Sequence, residues 1–88
     1  MNIDAFKQEL IVQNYSEITM VERPAGYSLG SHQHPFDAKA LITQGGITLV
    51  VDGAATQYGI GEVFELARGT HHEEYALHGV AYLAGRRH

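Results

Sequence analysis

The chain has 88 residues, a mass of 9.7 kDa and a formal net charge of −4, from six Lys and Arg against ten Asp and Glu. A length this short supports one small domain, burying only about 60% of the surface its unfolded chain exposes, and excludes a Rossmann or TIM-barrel enzyme. Zero cysteines exclude a disulfide, a thiolate metal site and a thiol nucleophile, and no like-charge run exceeds Glu73-Glu74 or Arg86-Arg87, so nothing forms a footprint for nucleic acid or an anionic membrane.

The start, Met1-Asn2-Ile3-Asp4, carries an acid early and no apolar run of signal-peptide length. No stretch approaches the roughly 20 apolar residues of a membrane span. A cytoplasmic protein is the expectation. Helical spacing of Ile3, Phe6, Leu10 and Ile11 predicts an amphipathic helix over residues 3–13, with Asp4, Lys7, Gln8 and Glu9 on its other face and Asn14 as its end. Residues 1–16 are read as this helix and its lead-in, and residues 17–88 as one β-barrel.

From residue 17 onward, strand and turn signals alternate. Strands are expected over residues 17–23, 38–44, 47–51, 62–66, 71–77 and 80–84. Pro24-Ala25-Gly26 breaks the first, and Gly45-Gly46 separates the second from the third. Asp52-Gly53 is a hairpin signal between two strand-like runs. Some seven short strands with turns about every 8–12 residues predict an all-β sandwich or barrel. Most of Tyr27, Phe36, Phe64, Tyr75 and Tyr82 are expected in the core or the pocket wall.

Six histidines carry the chemistry. His32-Gln33-His34 is an H-x-H pair, and in an extended segment both imidazoles face one way. His71-His72 follows a glycine turn at the start of a later strand. The parity of His71 is opposite to that of His72 and points it at solvent. His78 is placed on a rim and His88 in a tail, and a solvated tail is also the expectation for Arg86 and Arg87. Ser28 and Ser31 lack a nucleophile context, and Gly59-Ile60-Gly61 is a lone turn.

These residues resemble the cupins. The first cupin motif, G-x5-H-x-H-x3-4-E-x6-G, runs here from Gly26 through His32 and His34 to Gly46, with Lys39 at the glutamate. The second, G-x5-P-x-G-x2-H-x3-N, runs through Gly61, Gly69 and His72, with Ala67 at the proline and Ala76 at the asparagine. The likeness covers residues 17–85. It implies a small jelly-roll-like cupin β-barrel behind the short N-terminal helix, with one divalent transition metal (Zn, Ni, Fe, Mn or Cu) held by His32, His34 and His72.

A lysine ammonium cannot ligate a metal. Glu74 shares the face of His72, so a Lys39–Glu74 pair beside the metal is expected, with Glu74 as the candidate general base or as the group that orients a ligand histidine. Asp37 is a lower-ranked oxygen ligand. Lys39, Phe36 and Tyr75 are the candidate pocket residues. A small-molecule ligand and a homodimer are the expected partners. The activity is either that of a metal-dependent enzyme of the oxygenase kind or that of a non-catalytic binder of a small anion or sugar. The latter includes a metal-free pocket lined by neutral histidines and Lys39.

Overall fold

The structure, a computed structural model, describes residues 2–88. Helix α1 spans Ile3–Val12. Asn2 caps it, its side-chain oxygen accepting from the Ala5 N–H at 2.7 Å. Asn14 adopts φ 66°, and its N–H and that of Tyr15 donate to the carbonyls of Ile11 and Leu10. This is a Schellman ending, one of the few turns where asparagine replaces glycine at little cost. Phe6 and Leu10 are fully buried against Tyr15, Leu41 and Leu83. Their burial contributes about 1.5–3 kcal/mol each. The expected apolar face is narrower than its spacing suggested, because Ile3 and Ile11 are exposed.

Seven strands follow among the described residues: β1 Ser16–Arg23, β2 Tyr27–His32, β3 Asp37–Val51, β4 Ala54–Gly59, β5 Val63–Leu66, β6 His72–Ala76 and β7 Val80–Arg87. All pairings are antiparallel. They form two faces that share β3. Its first half lies between β7 and β5, with β1 beyond β7. Its second half lies between β4 and β6, with β2 beyond β6. Helix α1 covers the outer side of the first face, and the main core lies between the faces.

The runs expected over 38–44 and 47–51 are thus one continuous strand. A bulge between Ile42 and Gln44 bends it from one face to the other. The extra residue also resets the alternation. Ala40 and Ile42 point into the core before the bend, and Ile47 and Leu49 after it. The Asp52-Gly53 turn has φ 51° and 76° and joins Val51 to Ala54 as a two-residue hairpin. Arg86 and Arg87, expected in a solvated tail, belong to β7. Arg87 Nε donates to Asp37 Oδ2 at 3.1 Å, and its Nη1 donates to the Gln13 carbonyl at 3.0 Å.

Candidate metal centre

A cavity of about 150 Å³ lies between the two faces. One wall is Tyr27, Leu29, His32, His72 and Glu74 from β2 and β6. The other is Val21, Ala40, Phe64, Tyr82 and Ala84 from β1, β3, β5 and β7. It is lined in part by β1 and β2, one edge strand of each face, which do not pair with each other.

The local fold turns the histidines inward. Leu29 faces Glu74 across the β2–β6 ladder, and His32 faces His72. Three steps along β2 therefore match two along β6, so β2 carries a bulge. Tyr27 and Leu29 line the cavity, and strict alternation would next have sent Ser31 inward and His32 out. The bulge reverses that parity. His34 lies just past the end of β2, and its ring stacks on Phe36 with centroids 4.8 Å apart.

The potential ligand atoms of His32, His34, His72 and Glu74 all lie within 4.8 Å of one another. His32 Nε2 is 3.0 Å from Glu74 Oε2, and His72 Nε2 is 3.2 Å from the same oxygen. His32 Nδ1 lies 2.8 Å from the Gly30 carbonyl, and His72 Nδ1 lies 3.0 Å from the Thr70 carbonyl. A carbonyl only accepts, so each Nδ1 donates to its carbonyl, which leaves each Nε2 on the cavity side beside the Glu74 carboxylate, and His72 Nε2 is in hydrogen-bond geometry with it. His32 Nε2 is buried and out of hydrogen-bond geometry with any partner. A cation at their centre could take a ligand atom from each of the four residues. Three imidazoles and one carboxylate suit Zn, Ni, Fe, Mn or Cu, so the residues present fit a divalent transition metal.

Two further groups feel the enclosure. Burial, and then the neighbouring His32 and His72, hold the His34 imidazole below its usual pKa, which favours the neutral, ligating form. Burial first and the Glu74 carboxylate next push the Tyr82 phenol up to about 12.

Lys39 is not part of the cavity. It is 7% exposed on the opposite side of β3. Its Nζ lies 3.2 Å from both Glu9 and Glu65, and donates to Gln13 at 2.9 Å. The expected Lys39–Glu74 pair does not form, because odd-numbered residues in this half of β3 face the helix, as Leu41 does. The inward position is Ala38, at the shorter of the two spacings the cupin motif allows. Glu74, on a different strand, brings the carboxylate to the histidines instead. Tyr75 is not a pocket residue either. It is 37% exposed and donates to Glu73 at 2.7 Å. Asp37 accepts from the Arg68 backbone N–H at 2.8 Å and from Arg87, far from ligand duty. Phe36 lines the cavity, and His71 and His78 are exposed. Arg86 was missed. Its guanidinium carbon lies 4.4 Å from the centroid of the Phe36 ring, and its even parity with Tyr82 and Ala84 was the available signal.

No family description matches the chain, and no curated protein sequence matches it. Solved structures do. A conserved protein of unknown function from Streptococcus pyogenes is similar with a TM-score of 0.72 at 24% identity, over 80% of this chain and 61% of its own. A cupin superfamily protein from Desulfitobacterium hafniense DCB-2 gives 0.74 at 16% identity, over 84% and 68%. A cupin-2 domain containing protein from Shewanella frigidimarina NCIMB 400 gives 0.69 at 13% identity, over 100% and 94%. This chain spans about three fifths of the streptococcal one. The fold is that of the cupins, as the two histidine motifs implied.

Proposed function

We propose that the cavity is a metal centre in which His32, His34, His72 and Glu74 hold one divalent transition metal and a small metabolite binds beside it. The observation that carries this reading is the buried, partnerless Nε2 of His32, 3.0 Å from the Glu74 carboxylate in a cluster of four potential ligand atoms. Such an ion, when bound, supplies Lewis acidity to an oxygen-bearing ligand. The Gly30 and Thr70 carbonyls fix the tautomers of His32 and His72 and hold their rings in register. Glu74 offsets one of the ion's two charges, and burial keeps His34 neutral. The proposal extends to a cytoplasmic homodimer, for which the exposed Ile11 and Val12 of α1 offer apolar surface. Light scattering at micromolar concentration tests the dimer.

A non-catalytic binder of a small anion or sugar is the second reading. Arg23 and Arg86 supply guanidinium donors for the anion on a lining that also carries Glu17 and Glu74.

Elemental analysis of protein purified without a nickel column tests the metal. The expected result is about one equivalent per chain, lost in His72→Ala and kept in His71→Ala. An empty protein, even after incubation with Fe, Mn, Ni and Zn, overturns the metal centre.

A further inference from the structure

Arg86 is the cavity-lining cation closest in the fold to the histidines. It belongs to β7 on the same side as Tyr82 and Ala84, exposed at the cavity mouth, and its guanidinium lies over Phe36. Phe36 in turn stacks on His34. A guanidinium, an aromatic ring and a candidate ligand imidazole therefore stand in one continuous stack. Among the described residues, no carboxylate lies within ion-pair distance of the Arg86 guanidinium. Asp37 is taken by Arg87 and Arg68. Glu17, on the same rim, pairs with His88 Nε2 at 2.9 Å and feels the Arg86 charge from beyond ion-pair distance. The guanidinium rests on the Phe36 ring, and none of its N–H groups has a side-chain or backbone partner among the described residues. The guanidinium fork matches a carboxylate geometrically, whereas a lysine ammonium in its place would act as a point charge.

The site, with an ion bound, would have one positive centre at the Glu74 end and a second at Arg86. The walls between them are apolar or aromatic: Phe36, Ala38, Leu66 and Ala84. The cavity of about 150 Å³ is below the roughly 300 Å³ at which drug-sized pockets begin. A short ligand with a negative group at each end fits this charge pattern, and a neutral sugar of similar size does not.

We propose that the cavity takes a short-chain dicarboxylate, one carboxylate beside the metal and the other in the fork of Arg86. This rests on the metal reading above and names the class of ligand for that site. Arg86 is a binding residue in it, outside the set that holds the ion.

The test is calorimetric titration of the metal-loaded protein with malonate, succinate and glutarate. Acetate and succinamide are the controls. Wild type, Arg86→Gln and Arg86→Lys are compared, and metal content is measured for each. The expected result is that one dicarboxylate binds wild type at least about tenfold more tightly than acetate or succinamide. Arg86→Gln loses that advantage, Arg86→Lys regains part of it, and both keep their metal and their acetate affinity. Equal dicarboxylate affinity in wild type and Arg86→Gln, with metal retained, overturns the assignment of Arg86 and leaves the metal centre standing. Succinamide binding as tightly as succinate overturns the ligand class. Wild type without metal overturns the metal reading, and the two-centre ligand falls with it.

Discussion

Gly45 and Gly79 meet backbone to backbone at the bend of β3: a Cβ built on Gly45 would lie 2.2 Å from the Gly79 carbonyl oxygen. The Gly46 N–H donates to that same oxygen at 3.2 Å, and Gly45 sits at φ 67°. A side chain at position 45 would meet both a steric clash and a left-handed backbone. Gly45→Ala is expected to cost about 3 kcal/mol and to lower Tm by roughly 10–20 °C. Thermal unfolding followed by circular dichroism checks it. A Tm within a few degrees of wild type would mean the bend is not a fixed joint.

The motif position of the missing cupin glutamate has two candidate occupants, and they should respond in opposite ways. Ala38 faces the cavity, and Lys39 faces Glu9 and Glu65. In a Glu74→Gln background, Ala38→Glu is expected to restore metal binding. Lys39→Glu should place a third carboxylate beside two others, lowering stability and restoring nothing. Metal stoichiometry after gel filtration separates them. Recovery by Lys39→Glu would show that the strand's parity has been misread.

Glu74→Gln alone keeps the shape of the side chain and removes its charge. Metal affinity is expected to fall by at least about tenfold, with Tm of the metal-free protein little changed. Competition against a chromophoric chelator measures the first, and calorimetry the second. Undiminished affinity would reduce the centre to its three histidines.

Lys39 pins α1 to the barrel rather than serving the site. Burial pushes its ammonium pKa down, but the hydrogen bonds to Glu65 and Glu9 outweigh burial, and the net shift is upward from 10.5. The folded state therefore binds this proton more tightly than the unfolded chain does. The resulting stability is fully present below pH 10.5 and is lost as pH rises through the higher folded value. Lys39→Met keeps the apolar stem and is expected to cost about 1–2 kcal/mol at neutral pH, with metal content unchanged. Urea unfolding at pH 7 and above pH 11 should show the gap to wild type closing at the alkaline end. A constant gap would place the effect in packing alone.

Asp37 behaves with the opposite sign. The Arg68 backbone N–H first, and the Arg87 side chain next, hold its carboxyl below its ordinary 3.8. The stability this provides is present above pH 3.8 and is lost as pH falls through the lower folded value. Asp37→Asn is expected to be less stable than wild type at neutral pH and to match it in strong acid. Acid titration of both proteins, followed by tyrosine fluorescence, reads this out.

Much of the molecule was legible in the chain because its signals are local. The spacing of Phe6 and Leu10 marks a helix, Asp52-Gly53 marks a hairpin, and His32, His34 and His72 stand in motif register. Strand β2 was not legible, since Tyr27–His32 carries Ser28, Gly30 and Ser31 and shows no apolar alternation. Its inward histidines depend on a bulge, and a bulge is set by the partner strand rather than by the residues it contains. The same holds for β3, where the glycine pair that reads as a break is the bend of a continuous strand. The motif's variable spacing admits both Ala38 and Lys39, and only the pleat decides between them. Glu74 was legible as a neighbour of His72. Its pairing with the histidines instead of Lys39 is a matter of which side of a sheet each residue faces.

All four candidate ligands come from one side of the sandwich: β2, the segment just after it, and β6. The opposing wall, with Val21, Phe64, Tyr82 and Ala84, comes from the other side and contributes none of them. The division matters for how such a barrel can change over time. Residues of the second wall can be enlarged, shrunk or made polar while the three histidines and Glu74 stay untouched. The shape of the cavity and its histidine cluster are thus inherited on separate sheets, and mutation can explore the first without forfeiting the second.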